Sequence, residues 1–574
     1  MAQNTSKPVI DFTSHINDRT INFTGREWVF KAIDDWLADP ARSRFFLLVG
    51  EPGSGKTAIA CRLFQLSQGT VPPPDGLAHL TPGFISAFHF CSAHDSRWVN
   101  PHVFSESIAT QLAEQYPAYR EALVEKSGNR QIHIKTWQHT EGGPATGIVI
   151  HRLDVSGVIP EDTFNLLVRE PLEAFIHDTH DQQIIILIDA LDEALSYSGN
   201  TNIISLLAHI DNLPIGVRFI LTSRKDERVE TSFLEAKVYL LSADQFKQRN
   251  RDDIRRYVNG RLQDDKALAE KAVLLESAQI ITTVERIICK SEENFLYVRF
   301  LLDAIAKGLR SLTELEGLPE GLAGLYFDSL RRLVDLGGHN WLSAYAPLMG
   351  VLSVAQESLT QFELQVFTGL PESDICEYLS DLQQFLEEES PSEKNGKRRY
   401  FLYHQSVIDF LGLQELVFGE KQLRNKYYLS AKEWHTRIVD HYRPGNLEWE
   451  QVNWGNVEDY GLLHLAVHLH ALKDVEAYRQ QLYELLCKSF MLEKFARYGS
   501  YQSFASDVVL AIDTACAEKP SNMMQVVRGC LIYATLGSLV TNVPLEMLSA
   551  LVMVGQVTRA MDFAILILDP MKQT

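Results

Sequence analysis

The chain has 574 residues, too many for one hydrophobic core, and at ordinary domain sizes it divides into roughly three to five units. Its 45% hydrophobic and 22% charged residues are ordinary proportions for folded protein, so long disordered tracts are not expected. A formal charge of −20 excludes bulk attraction to nucleic acid or anionic lipid, because phosphate surfaces are held by clustered Lys and Arg.

The first twenty residues lack a basic start followed by an apolar stretch, so no secretory signal is visible and a cytoplasmic location is expected. Phe45 to Val49 is a short apolar run that ends at Gly50, the pattern of a buried parallel strand. It feeds Gly50-Glu51-Pro52-Gly53-Ser54-Gly55-Lys56-Thr57, a phosphate loop, and the helical pattern from Thr57 and Ala58 onward follows at once. The glycines let the backbone approach phosphates, and the amides of the loop and first helical turn point at them with the helix dipole. Lys56 is expected to reach the β and γ phosphates, and the Thr57 hydroxyl to coordinate Mg²⁺. The nucleotide expected is ATP.

Phe84 to Cys91 reads as a second sheet strand, with a helix from Phe104 to Gln115 after it. His89, Cys91 and His94 lie close together, but no second cluster has zinc-like spacing, so they are read as structural. Ile184 to Ile188 is an aliphatic strand that ends in Asp189, the expected Mg²⁺ ligand. Asp192 and Glu193 come directly after, where either carboxylate would orient an attacking water. A third buried strand, Val217 to Thr222, ends in Ser223 and Arg224, and at a strand's carboxyl end Arg224 is placed to meet the γ phosphate.

From about Lys421 the pattern is helical, with no strands expected. Gly529 to Leu545 is the most apolar stretch, but Thr535, Ser538, Thr541, Asn542 and Pro544 interrupt it, and a membrane span needs about 20 mostly apolar residues. Leu545 to Leu568 has the form of one helical hairpin, a unit that usually stacks in arrays. The seven cysteines are odd in number and scattered, and are read as reduced core residues.

In chain order these motifs resemble the STAND class of P-loop ATPases, particularly its NACHT-type members, regulatory switches that include animal NOD-like receptors and bacterial anti-phage sensors. Phe23-Thr24-Gly25-Arg26-Glu27, with Ile33 and Trp36-Leu37, is similar to the class's lead-in segment, which implies that Gly25 and Arg26 lie against the nucleotide. Leu187 to Ala194 is similar to its second acidic motif, and Leu221 to Arg224 to its sensor strand. Asp253 to Tyr257 and Glu293 to Tyr297 resemble its helical lid, with one departure: relatives with Gly-Leu-Pro set the proline on the adenine, where this chain has Asn294-Phe295. Pro347 to Leu411 resembles its winged helix, with a turn-rich wing from Glu388 to Lys397. His404 falls where the class places a histidine on the β phosphate of ADP.

The resemblance implies a multidomain α/β + α protein: a P-loop NTPase parallel α/β sheet, a helical lid, a winged helix and a C-terminal α-helical region. The boundaries implied are an extension over 1–22, the ATPase core over 23–235, the lid over 236–335, the winged helix over 336–415 and helices over 416–574. It further implies an ATP/ADP-dependent switch with Mg²⁺ and slow hydrolysis, closed with ADP and forming a homo-oligomer with ATP. A protein trigger or partner is expected to act through the C-terminal helices, with neither membrane nor nucleic acid as a partner. Two other readings stand beside it: a remodelling motor of the AAA+ kind, and a winged-helix transcription regulator. The helix from Glu372 to Asp381 speaks against DNA, because it carries four acids and no base.

Overall fold

The computed structural model describes residues 10–541 apart from 40–42, 94, 128–132, 137–149, 155–159, 179–182, 198, 200, 211–212, 215, 314, 390–397, 419–420, 444–446 and 500. A helix α1 (Thr13–Thr20) and a helix α2 (Glu27–Leu37) precede strand β1 (Phe45–Val49) and helix α3 (Lys56–Ser67). Strand β2 (Ala87–Phe90), helix α4 (Pro101–Gln115), and strands β3 (Ile184–Asp189), β4 (Val217–Ser223) and β5 (Lys237–Leu240) complete the sheet layer. The five strands are all parallel, in the order β2-β3-β4-β1-β5. Every residue of β3 and β4 is buried, which is why 184–188 and 219–221 read as unbroken apolar runs rather than alternations.

Side chains of β1 still divide by face. Phe46 and Leu48 pack with α1, α2 and α3, through Ile16, Ile33, Trp36, Ile59 and Leu63. Leu47 and Val49 face the opposite layer with Ile108 and Leu112 of α4. The α1 segment therefore shares the core of the sheet, through Ile10, Phe12 and Ile16. In register, Val49 pairs with Ser223 and Leu221 with Ile188, so β1, β4 and β3 end nearly level. That brings Gly50, Thr222 and Asp189 to one edge, where ligands of open parallel sheets bind.

After the sheet comes a helical region that includes α5 (Lys247–Asp264) and α6 (Phe295–Ala306). Helices Ala346–Val354, Gln361–Thr368 and Glu372–Asp381 follow, with a three-stranded antiparallel sheet in which Arg399–Leu402 lies between Leu359–Thr360 and Leu386–Glu389. Thr360 and Glu363 form a reciprocal capping box that fixes the start of Gln361–Thr368. Helix α7 (Gln405–Gly412) leaves the central strand of that sheet. One continuous core runs from Ile254 of α5 to Leu536 of the helix Met523–Thr541.

Two sequence expectations need correction. Lys421–Arg424 is a strand, paired with Glu415–Phe418, where only helices were expected. Of this hairpin Leu416 is buried while Val417 and Leu423 are exposed, so it has too little apolar alternation to be read as a strand pair. The cysteines are all free, but only Cys61 and Cys91 are buried; Cys289, Cys376, Cys516 and Cys530 are exposed, because they occupy the outward faces of their helices. The hairpin expected over Leu545 to Leu568, His94 and most of the expected wing lie outside the described residues. Among the described residues no helix is long and apolar enough to cross a membrane.

Candidate nucleotide site

The loop between β1 and α3 turns through Gly53 and Gly55 with φ of +80° and +91°, angles at which a side chain would be strained. Lys56, the first residue of α3, arches back so that Nζ donates to the carbonyls of Gly50 (2.7 Å) and Glu51 (3.1 Å). Burial pushes its pKa down to about 8, against the opposing pull of Asp192 and Asp189. Asp189, at the end of β3, is 1% exposed. Burial raises its pKa, opposed by hydrogen bonds from the hydroxyls of Thr222 (2.5 Å) and Thr57. The two expected Mg²⁺ ligands, Thr57 and Asp189, therefore touch each other across the loop. One hydroxyl and one carboxylate are hard oxygen donors of the kind Mg²⁺ takes when phosphates and waters complete its shell, so the residues present fit that ion.

Past Asp189 the chain turns sharply at Ala190, with φ of +52°, whose N–H is held by Thr222 Oγ1 at 2.9 Å. Asp192 is buried and engaged through both oxygens: Oδ1 accepts the Arg224 N–H (2.8 Å) and Oδ2 accepts Nε (2.6 Å). Glu193 accepts the Ala93 N–H through Oε2 at 2.9 Å. Burial, aided by the charges of Asp192 and Asp189, drives its pKa up to about 7. Arg224 also reaches forward, with Nη1 2.7 Å from Asp409 Oδ2 on α7. Burial alone would lower the Arg224 pKa, but the hydrogen bond and charge of Asp192, with Asp409 and Glu193, raise it.

Arg26 caps α2 in a left-handed conformation and is 3% exposed. Its guanidinium donates to the Ser54 carbonyl (2.6 Å) and to Asn250, and lies 4.7 Å from the Phe295 ring, while its backbone N–H reaches Asp253 at 3.2 Å. Burial lowers its pKa to about 10, opposed by Asp253 and Glu293. Gly25 is obligatory beside it, since a Cβ there would stand 2.4 Å from Asp253 Oδ1. Sequence reasoning placed Arg26 by its backbone and missed that its side chain ties the lead-in segment, the loop and α5 together. Asp253 and Asn250 were missed as anchors; the Asp253 to Tyr257 motif was the available signal.

Asn294 does a second job of the same kind. Its Nδ2 donates to the Pro52 carbonyl (2.7 Å), its Oδ1 caps α6 through the Tyr297 N–H (3.0 Å), and the Leu296 N–H reaches Gly53 O at 3.2 Å. The segment with the departure thus grips the loop's backbone. Opposite, His404 caps α7, its Nδ1 accepting the Ser406 N–H at 3.0 Å, so the neutral ring carries its proton on Nε2. Ser406 Oγ continues to Tyr326 (2.9 Å) and Tyr403, a chain that holds the ring in place.

These elements enclose one cavity of about 420 Å³, lined by Lys56, Thr57, Asp189, Glu193, Arg224, Phe295 and His404 among others. Gly53, Gly55, Ala58, Arg26 and Asp192 line it as well. Gly25, Gly50, Glu51 and Ser54 are not among its lining residues; the carbonyls of Gly50 and Glu51 hold Lys56, that of Ser54 holds Arg26, and Gly25 closely approaches Asp253. His89 bonds the Trp98 carbonyl at 2.8 Å in the core beneath.

A parallel sheet whose first strand opens into this loop, with a carboxylate against the loop's threonine, defines a P-loop NTPase. The sequence family described as Nephrocystin 3, N-terminal, matches residues 25–142, from the lead-in segment to beyond α4. The vegetative incompatibility protein HET-E-1 of Podospora anserina is 23% identical over 378 residues, which covers 64% of this chain and 24% of that protein. This chain thus spans about a quarter of that relative's length. The structure of the Aeropyrum pernix ORC1 protein in complex with DNA aligns over 68% of this chain and 92% of that one, at 14% identity. Its TM-score of 0.26 is too low to place any element of this chain.

Proposed function

We propose that this chain is an ATP/ADP-dependent switch of the STAND, NACHT-like type, with slow ATP hydrolysis and assembly into a homo-oligomer in the ATP form. The observation that carries it is the bridge from Asp192 through Arg224 to Asp409, which joins the expected γ-phosphate end of the cavity to the helix that starts at His404. A γ phosphate competes with Asp409 for Arg224, whereas ADP leaves the bridge intact and accepts a hydrogen bond at its β phosphate from His404. In this reading the helical region of α5 and α6 is the lid, and the three helices with the three-stranded sheet are the winged helix.

Lys56 and the loop amides hold the phosphates, and Mg²⁺ bound at Thr57 and Asp189 supplies neutralisation of their charge. Glu193 takes the proton of the attacking water, since both Asp192 oxygens are occupied by Arg224. The trigger is a protein acting through the C-terminal helices.

The deciding experiment is to identify the nucleotide released when the purified protein is denatured, and to measure its mass by light scattering with ADP and with ATP. ADP release from a monomer, and a larger species with ATP, are expected; an empty protein whose mass ignores ATP refutes the switch. Lys56→Ala is expected to abolish triphosphate binding in direct titration.

A further inference from the structure

The cavity has a wall that the phosphate loop does not explain. His15, Asp18 and Arg19 of α1 line it together with Ala58 of α3. Helix α1 is fixed along α3, where Gln65 Nε2 donates to Thr20 Oγ1 at 2.9 Å. His15 packs its ring 5.3 Å from those of Phe90 and Trp98. Burial, then the charge of Arg19, press its pKa to about 3, so it stays neutral. The carboxylate of Asp18 accepts the Ser14 hydroxyl at 3.2 Å.

Arg19 is different. Every other arginine or lysine on the cavity wall has an acceptor: Arg26 has Ser54 O, Lys56 has Gly50 O, Arg224 has Asp192, and Arg261 and Arg299 have Asp303. Arg19 is half-buried and, among the described residues, has neither a hydrogen bond nor an ion pair. A guanidinium set into a cavity without an acceptor presents several donors to whatever fills it. Its field is felt at Cys61, one helical turn beyond Ala58, whereas Lys56 and Thr57 mark the β and γ phosphates at the start of the same helix.

We infer that Arg19 is a nucleotide-binding residue supplied by α1, contacting the α-phosphate and ribose end of a nucleoside di- or triphosphate. The inference rests on the reading of the cavity as a nucleotide site. Because Arg19 makes no hydrogen bond or ion pair among the described residues, its removal is expected to leave the nucleotide-free fold intact and to weaken ADP and ATP by the same factor, about tenfold for a charged hydrogen bond. Arg19→Lys recovers part of that loss, since one ammonium replaces a fork of donors.

The test is calorimetric titration of wild type, Arg19→Ala, Arg19→Lys and Lys56→Ala with ADP and with ATP, alongside thermal midpoints of the nucleotide-free proteins. Equal losses for both nucleotides, partial recovery with lysine and unchanged midpoints are expected. Wild-type affinity in Arg19→Ala, a loss confined to ATP, or a lowered nucleotide-free midpoint each overturns the assignment. Undiminished binding in Lys56→Ala overturns the nucleotide reading of the cavity instead, so the two failures are distinct.

Discussion

Glu193 shows how far local electrostatics set a residue's chemistry. Burial and two neighbouring carboxylates hold its pKa near 7, where a general base works best at neutral pH. If Glu193 is the base, as proposed, its deprotonated form is the active one, so kcat/KM for ATP, which reports the free protein, is expected to rise with pH through about 7 and level above it. Glu193→Gln is expected to keep nucleotide affinity and lose turnover. A flat pH profile in wild type assigns the base elsewhere. Asp192 has the same sequence context, yet Arg224 claims both its oxygens, and no sequence pattern distinguishes the two acids.

At the level of elements, two contacts decide how the parts meet. Asp409 on α7 is 40% exposed and its partner Arg224 29%, so the pair contributes under about 1 kcal/mol to stability after solvent screening. Asp409→Asn is therefore expected to leave the melting temperature nearly unchanged while raising affinity for ATP relative to ADP. Equal ratios in mutant and wild type remove Asp409 from the proposed switch. Asn294 joins α6 to the loop and caps that helix as well. Asn294→Ala loses the cap, which typically costs about 1 kcal/mol, and frees the Pro52 carbonyl. Chemical denaturation should show that loss, and hydrogen exchange should quicken in residues 52–56.

Across the whole molecule, buried histidines govern the response to acid. Burial lowers the pKa of His89, His102, His435 and His470 from 6.5 to about 4 and of His15 to about 3, and it holds His468 well below the ordinary histidine value. Between about pH 6.5 and 4 the unfolded chain binds protons at these positions and the folded chain does not, so stability falls as pH falls through that window. Asp507 and Glu193, with pKa values raised to about 6 and about 7, act in the opposite direction but are outnumbered. Melting temperatures measured from pH 7.5 to 4.5 should decline steadily. His435 and His468 face each other at 2.7 Å between two C-terminal helices, so His435→Phe is expected to flatten part of that decline.

By itself the sequence determined the elements whose chemistry is local. Unbroken aliphatic runs read as buried parallel strands, which the sheet bears out, and the glycine loop before Lys56-Thr57 as an anion cradle; Asp189 and Arg224 were placed at the ends of those strands. The hairpin over 415–424 escaped because its burial is one-sided and slight. Only the tertiary structure decided which separate groups meet, Arg26 with Ser54 and Asn250, Asn294 with Pro52 and Arg224 with Asp409, and that Arg19, without a hydrogen bond or ion pair among the described residues, lies in the cavity wall. Apart from Arg26 with Ser54, those contacts join residues 185 to 242 positions apart, and no local propensity or spacing encodes which carboxylate or carbonyl a long, flexible guanidinium will find.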